Sequence, residues 1–136
     1  MTRLAACHCG QLRLRCEGEP RKVSQCHCLD CQRRTGSLFS IAAFFDRSAV
    51  TVEGEAGVYS RDSASGFPVT FRFCRTCGSN LWWEPARMPD RVGVAVGAFA
   101  DPAFPPPEQS VWNQDRHAWV GACEGAPAFE RNPPPR

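Results

Sequence analysis

Apolar and polar positions alternate along several short runs of this chain, and turn residues interrupt every one of them. Gln11–Leu12–Arg13–Leu14–Arg15–Cys16 is the clearest run, with Leu12, Leu14 and Cys16 on one face, the period of a half-buried strand. Gly18 and Pro20 end it. Leu38 to Phe45 is apolar and aromatic and reads as a well-buried strand. Val50–Glu53 and Val58–Ser60 follow, separated by glycine-containing turns. Val69 to Phe73 alternates again, Leu81–Trp82–Trp83 returns, and Arg91 to Phe99 places Val92, Val94 and Val96 at alternate positions. One helical turn is expected over Cys31 to Thr35, stopped by Gly36. Asp101 to Pro107 is an extended, proline-rich loop, and residues 131–136 are expected to form a disordered tail. The pattern predicts a mainly all-β fold of short strands with little helix, in a single domain over residues 1–130.

Composition adds one departure from the ordinary. The 12 prolines and 11 glycines fit many turns, but nine cysteines in 136 residues is a large number. The count is odd, the first six residues are too short for a signal peptide's apolar segment, and no run is long enough to span a membrane. A reducing, cytoplasmic setting follows, where clustered cysteines mean metal or redox chemistry more often than disulfides. The formal charge of +2 falls to −1 if seven thiolates hold two divalent zinc ions, so nothing favours a nucleic-acid partner.

Seven of the cysteines fall into three clusters: Cys7 and Cys9; Cys26, Cys28 and Cys31; Cys74 and Cys77. Strand, Cys-x-x-Cys-Gly, strand is the form of a metal knuckle at a hairpin tip, which Val69 to Trp83 matches. A structural zinc takes four ligands in a closed tetrahedron, and two pairs distant in sequence supply them. The natural pairing joins Cys7 and Cys9 to Cys74 and Cys77, leaving Cys26, Cys28 and Cys31 as a separate three-thiolate site. The alternative, in which one pair joins the triple cluster, crowds five thiolates around one ion. The three-thiolate site is either open at its fourth position, as catalytic zinc is, or closed by Cys16, Cys123 or a histidine. Cys16 lies on the apolar face of its strand and reads as a core thiol. His8 and His27, each between two ligands, are expected to turn away, on the surface or behind the ligands. His117 lines a cleft or satisfies a core hydrogen bond. Arg33, Arg34 and Arg72 are candidates for a substrate carboxylate, against solvated surface positions.

These motifs resemble a known family. Cys7–His8–Cys9–Gly10, then Cys26–His27–Cys28-x-x-Cys31-x-Arg33-x-x-Gly36–Ser37, then Phe73–Cys74-x-x-Cys77–Gly78–Ser79-x-Leu81 are similar to the motifs of the glutathione-dependent formaldehyde-activating family, which includes centromere protein V-like proteins. The likeness runs from Ala6 to about Val120, through Asp101, Phe104, Pro105 and Pro106 to Trp112 and Trp119. It implies a β-tent fold with two zinc sites per chain, Cys7, Cys9, Cys74 and Cys77 structural and Cys26, Cys28 and Cys31 catalytic. It also implies carbon–sulfur lyase chemistry joining a thiol such as glutathione to an aldehyde such as formaldehyde. A second class of function, a non-catalytic binding module with both metals structural, shares these residues.

Overall fold

The computed structural model describes residues 1–134, in which ten strands are joined by turns and loops. They are β1 (Thr2–Ala6), β2 (Arg13–Glu17), β3 (Lys22–Cys26), β4 (Ser40–Asp46), β5 (Val50–Glu53), β6 (Ala56–Arg61), β7 (Val69–Cys74), β8 (Asn80–Pro85), β9 (Arg91–Ala95) and β10 (Gln109–Val111). Among the described residues a single α-helix, α1 (Leu29–Thr35), lies between β3 and β4. At 40% strand and 13% helix, counting short 3-10 turns, the protein is mainly β with two sheets, as its patterning predicts. The chain divides into two compact units, residues 1–21 with 43–102 and residues 22–42 with 103–136, so the boundary falls inside β4.

In the first unit β1, β2 and β5 form an antiparallel three-stranded sheet, with β2 in the middle. The alternation of β2 works as read: Leu14 and Cys16 are buried while Arg13, Arg15 and Glu17 face water, and Leu12 just before the strand is buried too. The β6–β7–β8–β9 run is antiparallel throughout. Leu81, Trp82 and Trp83 are all buried, and Phe45 packs on Phe99 with ring centroids 6.2 Å apart. Gly93 on β9 stands opposite Trp83 on β8: a Cβ there would overlap the indole nitrogen and lie 2.7 Å from Cε2. Only glycine fits that approach. The strand expected over Arg91 to Phe99 ends at Ala95, and Val96–Phe99 closes into a 3-10 turn.

The second unit holds two elements that the pattern did not predict, β3 and β10. Lys22–Cys26 is a strand although Val23, Ser24 and Gln25 are all buried, so it lacks the alternation of a half-buried strand. Its partner β10 runs parallel to it, with Val111 opposite Cys26, so the sheet is not wholly antiparallel. After Val111 the chain turns sharply, because Trp112 adopts the left-handed conformation (φ 57°, ψ 40°) and leads into a 3-10 turn, Asn113–Asp115. For a non-glycine residue that conformation costs about 1–2 kcal/mol. The indole is secured at its nitrogen by Asn132 Oδ1 (3.0 Å) and on its face by the Arg131 guanidinium, 4.9 Å from the centroid. Two residues of the expected tail over 131–136 therefore pack on Trp112, and residues 135–136 lie outside the described ones.

Candidate metal centres

In the first unit the β1–β2 connection brings Cys7 and Cys9 against Cys74 and Cys77 from the β7–β8 turn. The four Sγ atoms lie within 4.8 Å of one another, with Cys7–Cys9 at 3.6 Å and Cys9–Cys74 at 3.7 Å. Four sulfurs around a zinc ion at bonds of about 2.3 Å stand about 3.8 Å apart, so this donor set and spacing fit a closed tetrahedral zinc site. Each pair sits on a tight knuckle. Gly10 donates its N–H to Cys7 O at 3.1 Å, and Gly78 donates to Cys74 O at 2.8 Å with a φ of +79° that suits glycine.

Neighbouring donors are aimed at these sulfurs. Leu12 N–H reaches Cys7 Sγ (3.3 Å) and Gln11 Nε2 reaches Cys74 Sγ (3.1 Å). The Gln11 amide is itself fixed by a reciprocal pair with the Glu55 backbone, donating to its carbonyl at 2.8 Å and accepting its N–H at 3.1 Å. Ser79 Oγ accepts the His8 N–H at 3.1 Å, which leaves its own proton for Cys77 Sγ at 3.3 Å. Hydrogen bonding to the charged form favours it. The Gln11 bond accordingly holds the Cys74 thiol below its ordinary range, and the Ser79 hydroxyl and backbone donors bring Cys77 down to about 5. The sequence assigned no role to Gln11, and Ser79 entered only as part of the Cys77–Gly78–Ser79 motif.

The second unit carries the other group. Cys26 ends β3, Cys28 caps the N-terminus of α1, and Cys31 lies in its first turn, with Cys31 N–H donating to Cys28 Sγ at 3.3 Å. The helix begins at Leu29, two residues earlier than the pattern suggests, because the Cys28 thiol serves as its cap. It ends as expected: Gly36, left-handed at φ 68°, donates to Gln32 O. The three Sγ atoms again lie within 4.8 Å of one another. Among the described residues no fourth Cys, His, Asp or Glu joins this group. Cys16 is wholly buried in the first unit, where burial pushes its thiol up to about 11, and Cys123 is joined to Gln25 through its backbone N–H.

Without a cation, three thiols this close share a single charge. Cys31 is brought down to about 3 by hydrogen bonds from Cys26 and Cys28 and by the Arg34 guanidinium, while the same bonds and burial push Cys26 far up. Like charges at this spacing cannot all ionise unless a cation stands among them. The thiol chemistry and the geometry therefore fit a soft divalent ion held by all three sulfurs.

The remaining candidates are scattered. Arg34 anchors on Ser40 Oγ (3.0 Å) beside Cys31, whereas Arg33 is exposed on the last turn of α1. Arg72 lies in the first unit, paired with Glu84 at 3.2 Å. His8 is exposed, but His27 is not: it is fully buried, 5.8 Å from the Phe39 ring, with neither ring nitrogen hydrogen-bonded. Burial and the Arg116 charge hold its pKa below the ordinary histidine value. His117 Nε2 lies 3.1 Å from the side-chain oxygen of Gln32, a residue the sequence did not single out.

A family model described as glutathione-dependent formaldehyde-activating enzyme matches residues 2–115. A crystal structure of a Rhodobacter sphaeroides protein is similar in fold, with a TM-score of 0.58 at 22% identity, over 93% of this chain and 98% of that one. No curated protein matches. Because the family match runs through all seven clustered cysteines, the chain belongs to the glutathione-dependent formaldehyde-activating enzyme family.

Proposed function

We propose that the protein is a zinc-dependent carbon–sulfur lyase that forms or breaks a thiol–aldehyde adduct at the three-cysteine site. Its substrates in this reading are glutathione and formaldehyde, the pair that the family description carries, in a reducing cytoplasmic setting. The observation that carries the reading is the difference between the two cysteine groups. Cys7, Cys9, Cys74 and Cys77 can fill a tetrahedron by themselves, whereas Cys26, Cys28 and Cys31 bring three donors to an ion that takes four. The first group would hold a structural zinc and the second a catalytic one, two ions per chain.

When bound there, zinc favours the thiolate form of an incoming thiol and polarises an oxygen nearby. The chain's own residues do the rest. Cys28 and Cys31 are fixed on the first turn of a helix, so two of the three donors share one rigid element. The Arg34 guanidinium, anchored on Ser40, lies against Cys31 and offsets part of the thiolate charge. Arg33, exposed on the same helix, offers a guanidinium to a substrate carboxylate. Arg72, engaged with Glu84, has the weaker claim to that role.

Exchange NMR of glutathione with formaldehyde, with and without the purified two-zinc protein, tests the reading. Faster exchange between free and adduct resonances is expected, and Cys31→Ser should abolish it while the protein stays folded. Unchanged exchange removes formaldehyde as substrate. Global unfolding of Cys31→Ser favours the binding-module reading, with both metals structural.

A further inference from the structure

Gln32 follows the last ligand of the three-cysteine group, and its side chain makes three hydrogen bonds at once. Its Nε2 donates to the His27 carbonyl (2.9 Å), between Cys26 and Cys28, and to the Asp115 carbonyl (3.1 Å). Carbonyl oxygens accept only, so both amide protons are committed and the orientation of the amide is settled. Its Oε1 is then an acceptor, and it faces His117 Nε2 at 3.1 Å. The proton of that bond must come from the imidazole. His117 is therefore the Nε2–H tautomer when neutral, with its lone pair on Nδ1.

That anchor does not depend on the charge of the ring. Nε2 carries a proton in the neutral and in the cationic form alike, so Gln32 keeps hold while Nδ1 gains or loses one. A group that must move a proton without losing its place needs such an attachment. Among the described residues nothing hydrogen-bonds Nδ1 of this half-buried ring. Trp119, 78% exposed, stands edge-on to it at 6.3 Å and 85°, so the ring lies at the surface where a ligand can reach it. The segment that carries His117 is tied to the ligand segment at both ends. Val111 O accepts His27 N–H at 3.1 Å, β10 pairs with β3 opposite Cys26, and the left-handed Trp112 turns the chain back so that Asp115 and His117 meet Gln32. The strain at Trp112 has a use here, since an extended residue would carry His117 away from α1.

We propose that His117 is the proton acceptor and donor for the thiol at the three-cysteine site. This rests on the thiol–aldehyde reading above. As the substrate S–H bond breaks, its electron pair stays on sulfur and the proton passes to His117 Nδ1. As sulfur bonds to the aldehyde carbon, the C=O π bond breaks and its pair moves to oxygen; the same proton then goes to that oxygen, giving a neutral S-hydroxyalkyl product with no change of oxidation state. The ionisable groups on the two elements that carry and hold the ring are Asp115 and Arg116 on its own segment and Asp30, Cys31, Arg33 and Arg34 on α1.

The test is the exchange rate of glutathione with formaldehyde on the metal-loaded protein, in the wild type and in His117→Gln, whose amide can still donate to Gln32; 2-mercaptoethanol is the second thiol. Proton transfer through His117 predicts a rate about 100-fold lower in His117→Gln, restored in part by the added hindered base 2,6-lutidine. An unchanged rate in His117→Gln, or a loss that the added base does not restore, overturns the proposal. Independently, ¹⁵N NMR of the wild type should show His117 as the Nε2–H tautomer at neutral pH, and the Nδ1–H form would overturn it without any variant. If 2-mercaptoethanol reacts and glutathione does not, glutathione falls as substrate and the rescue with 2-mercaptoethanol still decides on His117. If neither thiol reacts with the loaded protein, both readings fall.

Discussion

Substituting Gly54 should loosen a metal site whose ligands it does not touch. Gly54 has φ +100°, and a Cβ there would overlap the Gln11 carbonyl oxygen and lie 2.9 Å from its carbon. The obstacle is backbone against backbone, so no rotamer change relieves it. An alanine at such a φ is strained by about 1–2 kcal/mol. Pushing Gln11 away also breaks its two bonds with Glu55, each worth about 1 kcal/mol. Together these give a loss of about 3–4 kcal/mol, or a fall in melting temperature of roughly 10–15 °C for a chain of this size. The same displacement pulls the Gln11 amide off Cys74 Sγ, so the ion of the four-cysteine site should leave faster to a chromogenic chelator. Gln11→Ala separates the two effects: metal release should accelerate as much, with only about 1–2 kcal/mol of destabilisation, because no backbone strain is added. Gly54→Ala with a melting temperature within about 2 °C of wild type and unaltered metal release would refute the argument.

Three further outcomes follow from the thiols. Cys77→Ser should fail to fold, since a structural zinc contributes on the order of 10–16 kcal/mol against a total stability of about 5–15; Cys31→Ser should remain folded with about one zinc per chain by elemental analysis, and two would contradict the assignment. Acid should release metal from the four-cysteine site as its thiolates are protonated; a depressed thiol stays charged until the pH falls through its lowered value, about 5 for Cys77. Ser79→Ala removes a donor to that sulfur, so the midpoint of release should move to higher pH, and an unmoved midpoint would dismiss the role of the hydroxyl. The Cys16 thiol has the opposite sign: raised to about 11 by burial, it favours the fold below its ordinary value near 9.0 and ceases to do so as the pH rises through 11. Denaturation at pH 9 to 11 should show this alkaline loss in the wild type, and Cys16→Ala should lack it.

The cysteine groups were legible because each cluster spans only a few residues and a glycine marks each knuckle. Strands β2, β7 and β8 were legible because alternating or apolar runs meet turn residues at both ends. β3 was not, because Val23, Ser24 and Gln25 are all buried and a strand covered on both faces shows no period of two. Thr2–Arg3–Leu4–Ala5–Ala6 carries too little apolar contrast to mark β1, in which only Ala5 is buried. The roles of Gln11, Gln32 and Ser79 escaped for another reason. An amide or a hydroxyl is ordinary on any surface, and what distinguishes these are partners 44, 83 and 71 positions away, which only the fold brings within reach.

The spacing of the sulfurs also sets the order in which metal arrives. Cys26, Cys28 and Cys31 are contained in six residues, so an extended nascent chain can already gather an ion with them at small loop-closure cost. The other centre joins Cys9 to Cys74 across 65 positions and cannot form until β7 and β8 have been made. An ion held there would be captured at the end of folding and would depart only when the first unit opens, whereas the three-cysteine segment could exchange one with that unit intact. Under zinc scarcity the two centres should therefore empty on different clocks: one by dissociation, the other by unfolding.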